Sequence, residues 1–483
     1  MISFAEFERL AAEANLVPLV HEISGDTETP VSAFLKLGGD DRRFMLESAH
    51  TAEAWGRYTY LGDKPLAHIT LNTADYEIDE GGKITRGALG ADQLDPLRAL
   101  LKRHKMARTP NLPRFAGGLV GYLGWGSVNW FEPRVPQRHG PDAHFPVGEW
   151  MLAGRLIVFD NLTHTLKLIA CADLTKQDAK AAYQSAKDQI GELQDALKQP
   201  VPEQAPLDIG DWKDMWDRAL YERAVLKAKD YIAAGDAMQV VLSRELRAPY
   251  KGSEFEVYRA MRRVSPTPYL FFLQFAERFL AGASPEVMVR VENGRAILRP
   301  IAGTRRRGKT PEEDAALEAE LKADPKELAE HVMLVDLGRN DIGRIAAAGT
   351  VRVEEREVIE RYSHVMHLVS QVSGQLRPDM DAFDVIRATF PAGTVSGAPK
   401  VRAMEIIDEL EPIARGPYAG AAGYIGWDGA CDLAIAIRTI SMAGGEMRLH
   451  AGGGIVHDSD PGKEFEETEH KLGAPRKALG AQP

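Results

Sequence analysis

The sequence predicts an α+β protein built on large antiparallel β-sheets, and two observations carry this. Short β-type runs such as RLIVFDN, LKLIACADL, AMQVVLSREL and YLFFLQF follow one another with turn residues between them, with helical segments interspersed. No strand, Gly-rich turn and helix come together as a nucleotide-binding unit, which sets aside a doubly wound parallel sheet.

Taken in order, MISFAEFERLAAEAN reads as an acidic amphipathic helix without the basic start of a signal peptide. VSAFLKL, RFMLES and AGGLVGYLGW read as strands, with glycines marking bends or close backbone approach. Residues 175–198 form a charged helical segment, and KQPVPEQAPLDIGD after it is rich in proline and poor in periodicity. The expected organisation is therefore an N-terminal α+β region over 1–198, a linker at 199–211, a second domain over 212–475 and a tail at 476–483. In the second half, Trp212 to Gly235 has helical spacing, with Gly235 as a C-terminal stop. Strands follow, then a long helix from Pro311 to about Gly338 that Pro325 resets. Further helices are expected near 381–389 and 398–410, then the strands AGAAGYIGW, LAIAIRTISM and MRLHAGGGIV and a last helix.

The 483 residues carry a net charge of −11, spread along the chain. That disfavours nucleic acid or an anionic membrane as main partner. No run approaches the roughly 20 apolar residues of a membrane helix. The two cysteines, Cys171 and Cys431, have neither metal-ligand spacing nor a nucleophile-elbow context, so a reducing cytoplasm is the expected location.

Chemistry concentrates near the end of the chain. Asp460 and Pro461 suit the N-cap and first turn of a helix on which Glu464, Glu467 and Lys471 share a face. Two carboxylates with a cation one turn on suit a hard metal plus an anionic ligand, or simply a solvated acidic helix. Upstream, Gly452, Gly453 and Gly454 read as a turn offering backbone N–H groups to a carboxylate or phosphate. A second pair, Glu327 and Glu330, shares another helix face after Pro325; Mg²⁺ needs few direct carboxylates because it keeps several waters. His364 and His367 fit either a core or a catalytic place. Phe390 to Lys400, with Thr394, is a rigid loop that fits a substrate-positioning role or a structural turn.

These segments, in this order, resemble the chorismate-utilising enzymes, and within them the large subunit of anthranilate synthase. The strings that carry the resemblance are QVVLSRE, GASPEVMVR, RPIAGTRRRG, ELAEHVMLVDLGRND, VMHLVSQVSG, FPAGTVSGAPKVRAMEIIDELE, YAGAAGYIGWDG, AIRT and AGGGIVHDSDPGKEFEETEHK. FMLES and AGGLVGYLGW extend it thinly into the first half. The resemblance implies a sandwich of antiparallel sheets with helices outside. It also implies a cytoplasmic, Mg²⁺-dependent lyase that makes anthranilate and pyruvate from chorismate in the first step of tryptophan biosynthesis.

By the same resemblance, Glu330 and Glu467 are the main Mg²⁺ ligands, with Glu327 and Glu464 supporting them. Glu286 is the general acid at the departing C4 hydroxyl, and His367 and Thr394 sit by the ring. Tyr418, Arg438, Gly452, Gly453, Gly454 and Lys471 hold the carboxylates of chorismate. Gln239 stands where water-using relatives have a lysine base, and Ala302 where aminodeoxychorismate synthases have a lysine nucleophile; both point to ammonia as nucleophile. With no glutaminase cysteine, the resemblance implies a separate glutamine amidotransferase subunit in a heterotetramer. Glu47 and Ser48, with Pro266, Thr267, Pro268 and Tyr269, resemble the family's tryptophan feedback site, from whose pattern Met45, Ser265 and Thr267 depart.

Overall fold

The computed structural model describes residues 1–38, 41–48, 56–109, 111–265, 267–362 and 365–480. Two antiparallel sheets, of 13 and 12 strands, face each other among the described residues. The first runs from Leu16–Ser24 through Thr165–Asp173, Arg155–Asp160, Tyr58–Gly62, Arg42–Glu47, Tyr269–Phe275, Arg278–Ser284, Thr439–Ala443 and Glu446–Ile455 to Gln239–Lys251 and Asp208–Ile209. The second runs from Ile301–Arg306 through Val365–Gln375, Arg295–Leu298, Val287–Glu292, Cys431–Ile435, Ala421–Gly426, Gly118–Leu123 and Gly148–Ala153 to the hairpins ending at Lys83–Ala88.

Alternation of apolar residues along these strands builds the layers. Phe44, Tyr60, Val158 and Phe271 of the first sheet meet Val120, Tyr122, Met151 and Tyr424 of the second in one buried cluster between them. The outer face of the first sheet is covered by the helices Phe4–Ala11, Ala179–Leu197 and Glu254–Val264, through Phe7, Ile190, Leu193 and Phe255. Asp95–Lys102, Pro325–Gly343 and Ala382–Thr389 cover the second through Leu97, Ile342 and Phe383. Each fully buried side chain of this kind contributes about 1.5–3 kcal/mol. The fold is thus the α+β sandwich with helices outside.

Both sheets draw strands from both sides of residues 199–211. Arg42–Glu47 pairs with Tyr269–Phe275 in the register Leu270↔Glu47, and Gly118–Leu123 pairs with Ala421–Gly426 in the register Ala421↔Leu123. The proline-rich segment itself contributes the edge strand Asp208–Ile209 to the first sheet, and the sheets continue past it.

Three local expectations are corrected. VSAFLKL is helical, within Pro30–Lys36: Thr29 and Ser32 form a reciprocal capping box and Pro30 opens the helix, which overrides the β-type residues. The helix expected from Trp212 is Arg218–Ala233, because Asp217 caps it by accepting from the Leu220 N–H, while Lys213–Asp214 pairs with Gln239–Lys251. The helix from Pro311 divides at Asp324 into Pro311–Ala323 and Pro325–Gly343. Asp324 caps the second by accepting from the N–H groups of Lys326 and Glu327.

Candidate active site

Where the ends of the two sheets meet the helices Pro325–Gly343 and Pro461–Ala478, a cavity of about 280 Å³ opens. Its wall includes Gln239, Glu286, Ala302, Glu330, His367 and Thr394. Tyr418, Arg438, Gly452, Gly454, Glu467 and Lys471 are on it too, whereas Gly453, Glu327 and Glu464 of the groups singled out from the sequence are not. That volume approaches what ligand sites for a drug-sized molecule offer.

Glu286 sits between the strands Arg278–Ser284 and Val287–Glu292 and is 9% exposed. Burial raises its pKa to about 8, against the lowering effects of the Thr394 hydroxyl and the Arg438 guanidinium. Thr394 donates to its carboxylate at 3.0 Å. At neutral pH this side chain is therefore a carboxylic acid with a proton to give. Arg438 is held at φ +48 at the end of a strand, and its guanidinium makes no hydrogen bond or ion pair among the described residues. Desolvation by the surrounding protein lowers its pKa and the Glu286 carboxylate opposes this. An unpaired guanidinium on a cavity wall is a carboxylate receptor.

His367 places Nδ1 3.1 Å from the Gly303 carbonyl oxygen and 3.0 Å from the Thr304 hydroxyl. A carbonyl only accepts, so Nδ1 carries the proton and Nε2 is left as an acceptor. Burial lowers the pKa of His367, which keeps the imidazole neutral. His364 and Pro266 lie outside the described residues.

The glycine run is corrected by the structure. Gly452, Gly453 and Gly454 are the end of the strand Glu446–Ile455, paired with Ser243, Leu242 and Val241, and form no turn. On its other edge this strand is paired only as far as Leu449, so its last residues border the cavity instead of another strand. Glycine is required by close approach. A Cβ on Gly454 would stand 2.6 Å from Gln239 Nε2, and one on Gly452 2.9 Å from the Tyr418 hydroxyl. The Tyr418 ring is fixed by stacking on His450 at 4.9 Å.

The four glutamates divide. Glu330 and Glu467 line the cavity: Gln239 Nε2 donates to Glu330 at 3.2 Å, and Lys471 Nζ lies 2.7 Å from Glu467 and donates to the Gly452 carbonyl at 2.8 Å. Glu327 pairs with Arg305 at 3.1 Å, against Gly303. Glu464 is half-buried, and burial followed by the nearby Glu467 raises its pKa against the hydrogen bond from Ser459 and the charges of Lys326 and Lys471. Two carboxylates facing one place, one of them held above its ordinary range, are a set that a cation would relieve. A cradle lies beside them: the position a Cβ on Gly453 would take is 3.2 Å from Glu464 Oε2 and 3.8 Å from Glu467 Oε1. No three His, Cys, Asp or Glu side chains converge as a metal cluster among the described residues. This sparse, all-oxygen set fits Mg²⁺, which completes its shell with water and substrate oxygens.

A second, smaller cavity lies between the sheets, lined by Glu47, Ser48, Tyr60, Pro268, Tyr269 and Tyr424 among others. Arg262 holds the Glu47 carboxylate through two hydrogen bonds of 2.7 Å and Tyr258 adds one of 2.9 Å. The Tyr269 hydroxyl donates to Asp432 at 2.9 Å.

Sequence reasoning passed over Arg244, which is 1% exposed behind the acidic helix. It donates to Thr468 at 3.0 Å and Glu469 at 2.7 Å, pairs with Asp214, and lies 3.8 Å over the Phe465 ring. These contacts fix the rotation of Pro461–Ala478 and so aim Glu464 and Glu467. Its place inside QVVLSRE was the available signal. Arg415, also buried, donates to the carbonyls of Val395 and Val241, tying the one-turn helix Gly393–Ser396, which carries Thr394 where a loop was expected, to the Gln239 strand.

One cavity wall thus carries a carboxylic acid, a sparse carboxylate site, an unpaired Arg and a Lys, a set suited to a small polyanion. The chain matches the chorismate binding enzymes over residues 42–477. A Pseudomonas aeruginosa protein named anthranilate synthase component 1 is 45% identical over 486 residues, covering 98% of each chain. One of the same name from Aquifex aeolicus is 44% identical, over 99% of this chain and 97% of its own. The crystal structure of anthranilate synthase component I from Streptococcus pneumoniae superposes with a TM-score of 0.77 at 35% identity, over 94% of this chain and 98% of that one. A menaquinone-specific isochorismate synthase from Escherichia coli shares the fold, with a TM-score of 0.73 at 20% identity over 98% and 99% of the two chains. The chain belongs to the chorismate binding enzyme family, and within it to the anthranilate synthase component 1 enzymes.

Proposed function

We propose that the chain converts chorismate and ammonia into anthranilate and pyruvate, with Mg²⁺ at Glu330 and Glu467 and with Glu327 and Glu464 in support. The observation that carries this reading is the protonated Glu286 on the same cavity wall as a neutral Gln239 and Ala302. Ammonia brings its own lone pair, so addition at C2 needs no base at residue 239. The C4 oxygen, by contrast, needs a proton, which Glu286 supplies as the carbon–oxygen bond breaks, releasing water and leaving a carboxylate that the Thr394 hydroxyl stabilises.

Mg²⁺, when bound, supplies a Lewis acid for the conjugated ring carboxylate. Arg438, Lys471, Tyr418 and the strand edge at Gly452, Gly453 and Gly454 orient the carboxylates. His367 Nε2 is an acceptor for the ring proton lost when pyruvate departs and the ring becomes aromatic. Ala302 leaves no amine to attack the ring, which favours this reading over aminodeoxychorismate synthesis.

The name component 1 on its relatives supports a second component, which we take to be a glutamine amidotransferase that delivers ammonia within a heterotetramer. The second cavity, walled by four tyrosines with the Glu47 carboxylate and the Ser48 hydroxyl on its lining, supports tryptophan as feedback inhibitor at Glu47, Ser48, Pro268 and Tyr269. A cytoplasmic location is consistent with the absence, among the described residues, of any helix long and apolar enough to cross a membrane. The test is direct: the purified chain with chorismate, Mg²⁺ and ammonium should generate anthranilate fluorescence. A different chorismate product by chromatography, without fluorescence, overturns the reading.

A further inference from the structure

Tyr221, on the helix Arg218–Ala233, is 0% exposed, and its hydroxyl has no hydrogen-bond partner among the described residues. Such a group is rare in a folded protein, since a phenylalanine of the same shape would avoid its desolvation. Its surroundings give it a purpose. The ring is wedged edge-on between Trp216 at 5.3 Å and Phe465 at 6.0 Å, which fixes the direction of the hydroxyl.

That direction is toward Gly453. The point where a Cβ on residue 453 would stand lies 3.9 Å from Tyr221 Oη, 3.2 Å from Glu464 Oε2 and 3.8 Å from Glu467 Oε1. Three oxygens, two acidic and one hydroxylic, thus border one space the size of a methyl group or a water. Burial and the charge of Glu464 raise the tyrosine pKa, so the hydroxyl remains a donor. Facing carboxylates, it has acceptors within the reach of a single intervening atom.

We propose that Tyr221 is a positioning residue of the cation site, its hydroxyl anchoring a cation-bound water in the Gly453 cradle between Glu464 and Glu467. This rests on the Mg²⁺ reading above and adds to it a residue outside the cavity wall. The cation keeps part of its hydration shell, and an outer-sphere donor orients that water and, through it, the two carboxylates.

Mn²⁺ serves as paramagnetic probe, titrated by electron paramagnetic resonance into the full chain with chorismate and without ammonium. Tyr221→Phe should weaken Mn²⁺ binding by about tenfold or more, as loss of an outer-sphere partner does, while the metal-free thermal midpoint is unchanged or raised. Gly453→Ala, whose methyl fills the cradle, should weaken Mn²⁺ binding independently. Wild-type Mn²⁺ affinity in both variants overturns the proposal, as does a lowered metal-free midpoint in Tyr221→Phe with unchanged affinity, which would mark a merely structural tyrosine. Failure of the wild-type chain itself to bind Mn²⁺ overturns the Mg²⁺ reading and this proposal with it.

Discussion

Replacing Glu286 by glutamine should make the protein more stable and nearly inactive, and the stability gain should depend on pH in a calculable way. Burial raises the folded-state pKa to about 8 from the ordinary 4.5. Because the folded value is the higher one, the favourable contribution of this group is fully present below the unfolded pKa. It is lost progressively between pH 4.5 and about 8 and changes no further above that. Each pH unit is worth about 1.4 kcal/mol. At pH 7 the loss is therefore about 3.5 kcal/mol, and at its limit about 5 kcal/mol. Glutamine keeps the shape and does not ionise, so its stability advantage over wild type should widen from pH 5 to 8 and then level off. Urea denaturation of both proteins at each pH reads this. Anthranilate formation should fall by about 10²–10⁴-fold in the variant, and wild-type kcat/KM should decline above about pH 8 as the acid ionises. A stability difference that is flat from pH 5 to 9 would refute a buried, protonated Glu286.

Arg438→Met should raise KM for chorismate by about 10–100-fold, the worth of a charged hydrogen-bond pair, with a smaller effect on kcat; unchanged KM would remove Arg438 from carboxylate binding. Glu467→Gln should abolish turnover while circular dichroism stays native, and near-normal activity at limiting Mg²⁺ would take the residue out of the metal site. Ser48→Phe, filling the second cavity, should relieve tryptophan inhibition at unchanged kcat, as read by inhibition curves; unaltered inhibition would show that tryptophan binds elsewhere.

The sandwich was legible because β-type runs bounded by turn residues leave few alternatives; the Asp460–Pro461 cap announced the last acidic helix and Pro325 the restart of the other. The segment VSAFLKL was misread because its Val and Phe favour strands, while the deciding interaction is a reciprocal bond between its own Ser32 and Thr29, two residues before it. Glutamate spacing identified two faces and could go no further. That Glu327 turns to Arg305 while Glu330 reaches Gln239 depends on strands more than twenty residues away from either. The three glycines suggested a turn, since nothing local reveals that a neighbouring strand brings Gln239 within 2.6 Å of a Cβ on Gly454. Tyr221 gave no signal at all: it looks like any apolar helix residue, and only its unpartnered hydroxyl distinguishes it.

The interleaving of the two halves matters because it packs the strands that wall the second cavity against the segment that carries Glu286. Tyr269, on the wall of the second cavity, pairs across a hairpin with Ser284. The Ser284 hydroxyl lies 3.3 Å from the Glu286 N–H and 3.2 Å from its carbonyl, accepting from one and donating to the other. The Tyr269 side chain leads to the same place by another route. It donates to Asp432 on the strand Cys431–Ile435, and the Ile435 N–H at the end of that strand donates to the Glu286 carbonyl at 3.0 Å. Two short hydrogen-bonded routes therefore join the aromatic cavity to the Glu286 backbone. Close-packed sheets have little room to absorb a displacement, so on the function proposed above a ligand that moved Tyr269 would reach Glu286 without entering the larger cavity. Glu47, from the first half of the chain, is registered opposite Leu270 in the same sheet. That placement is available only because Arg42–Glu47 lies between strands of both halves; an N-terminal region with a sheet of its own would not pair Glu47 with the strand that carries Tyr269.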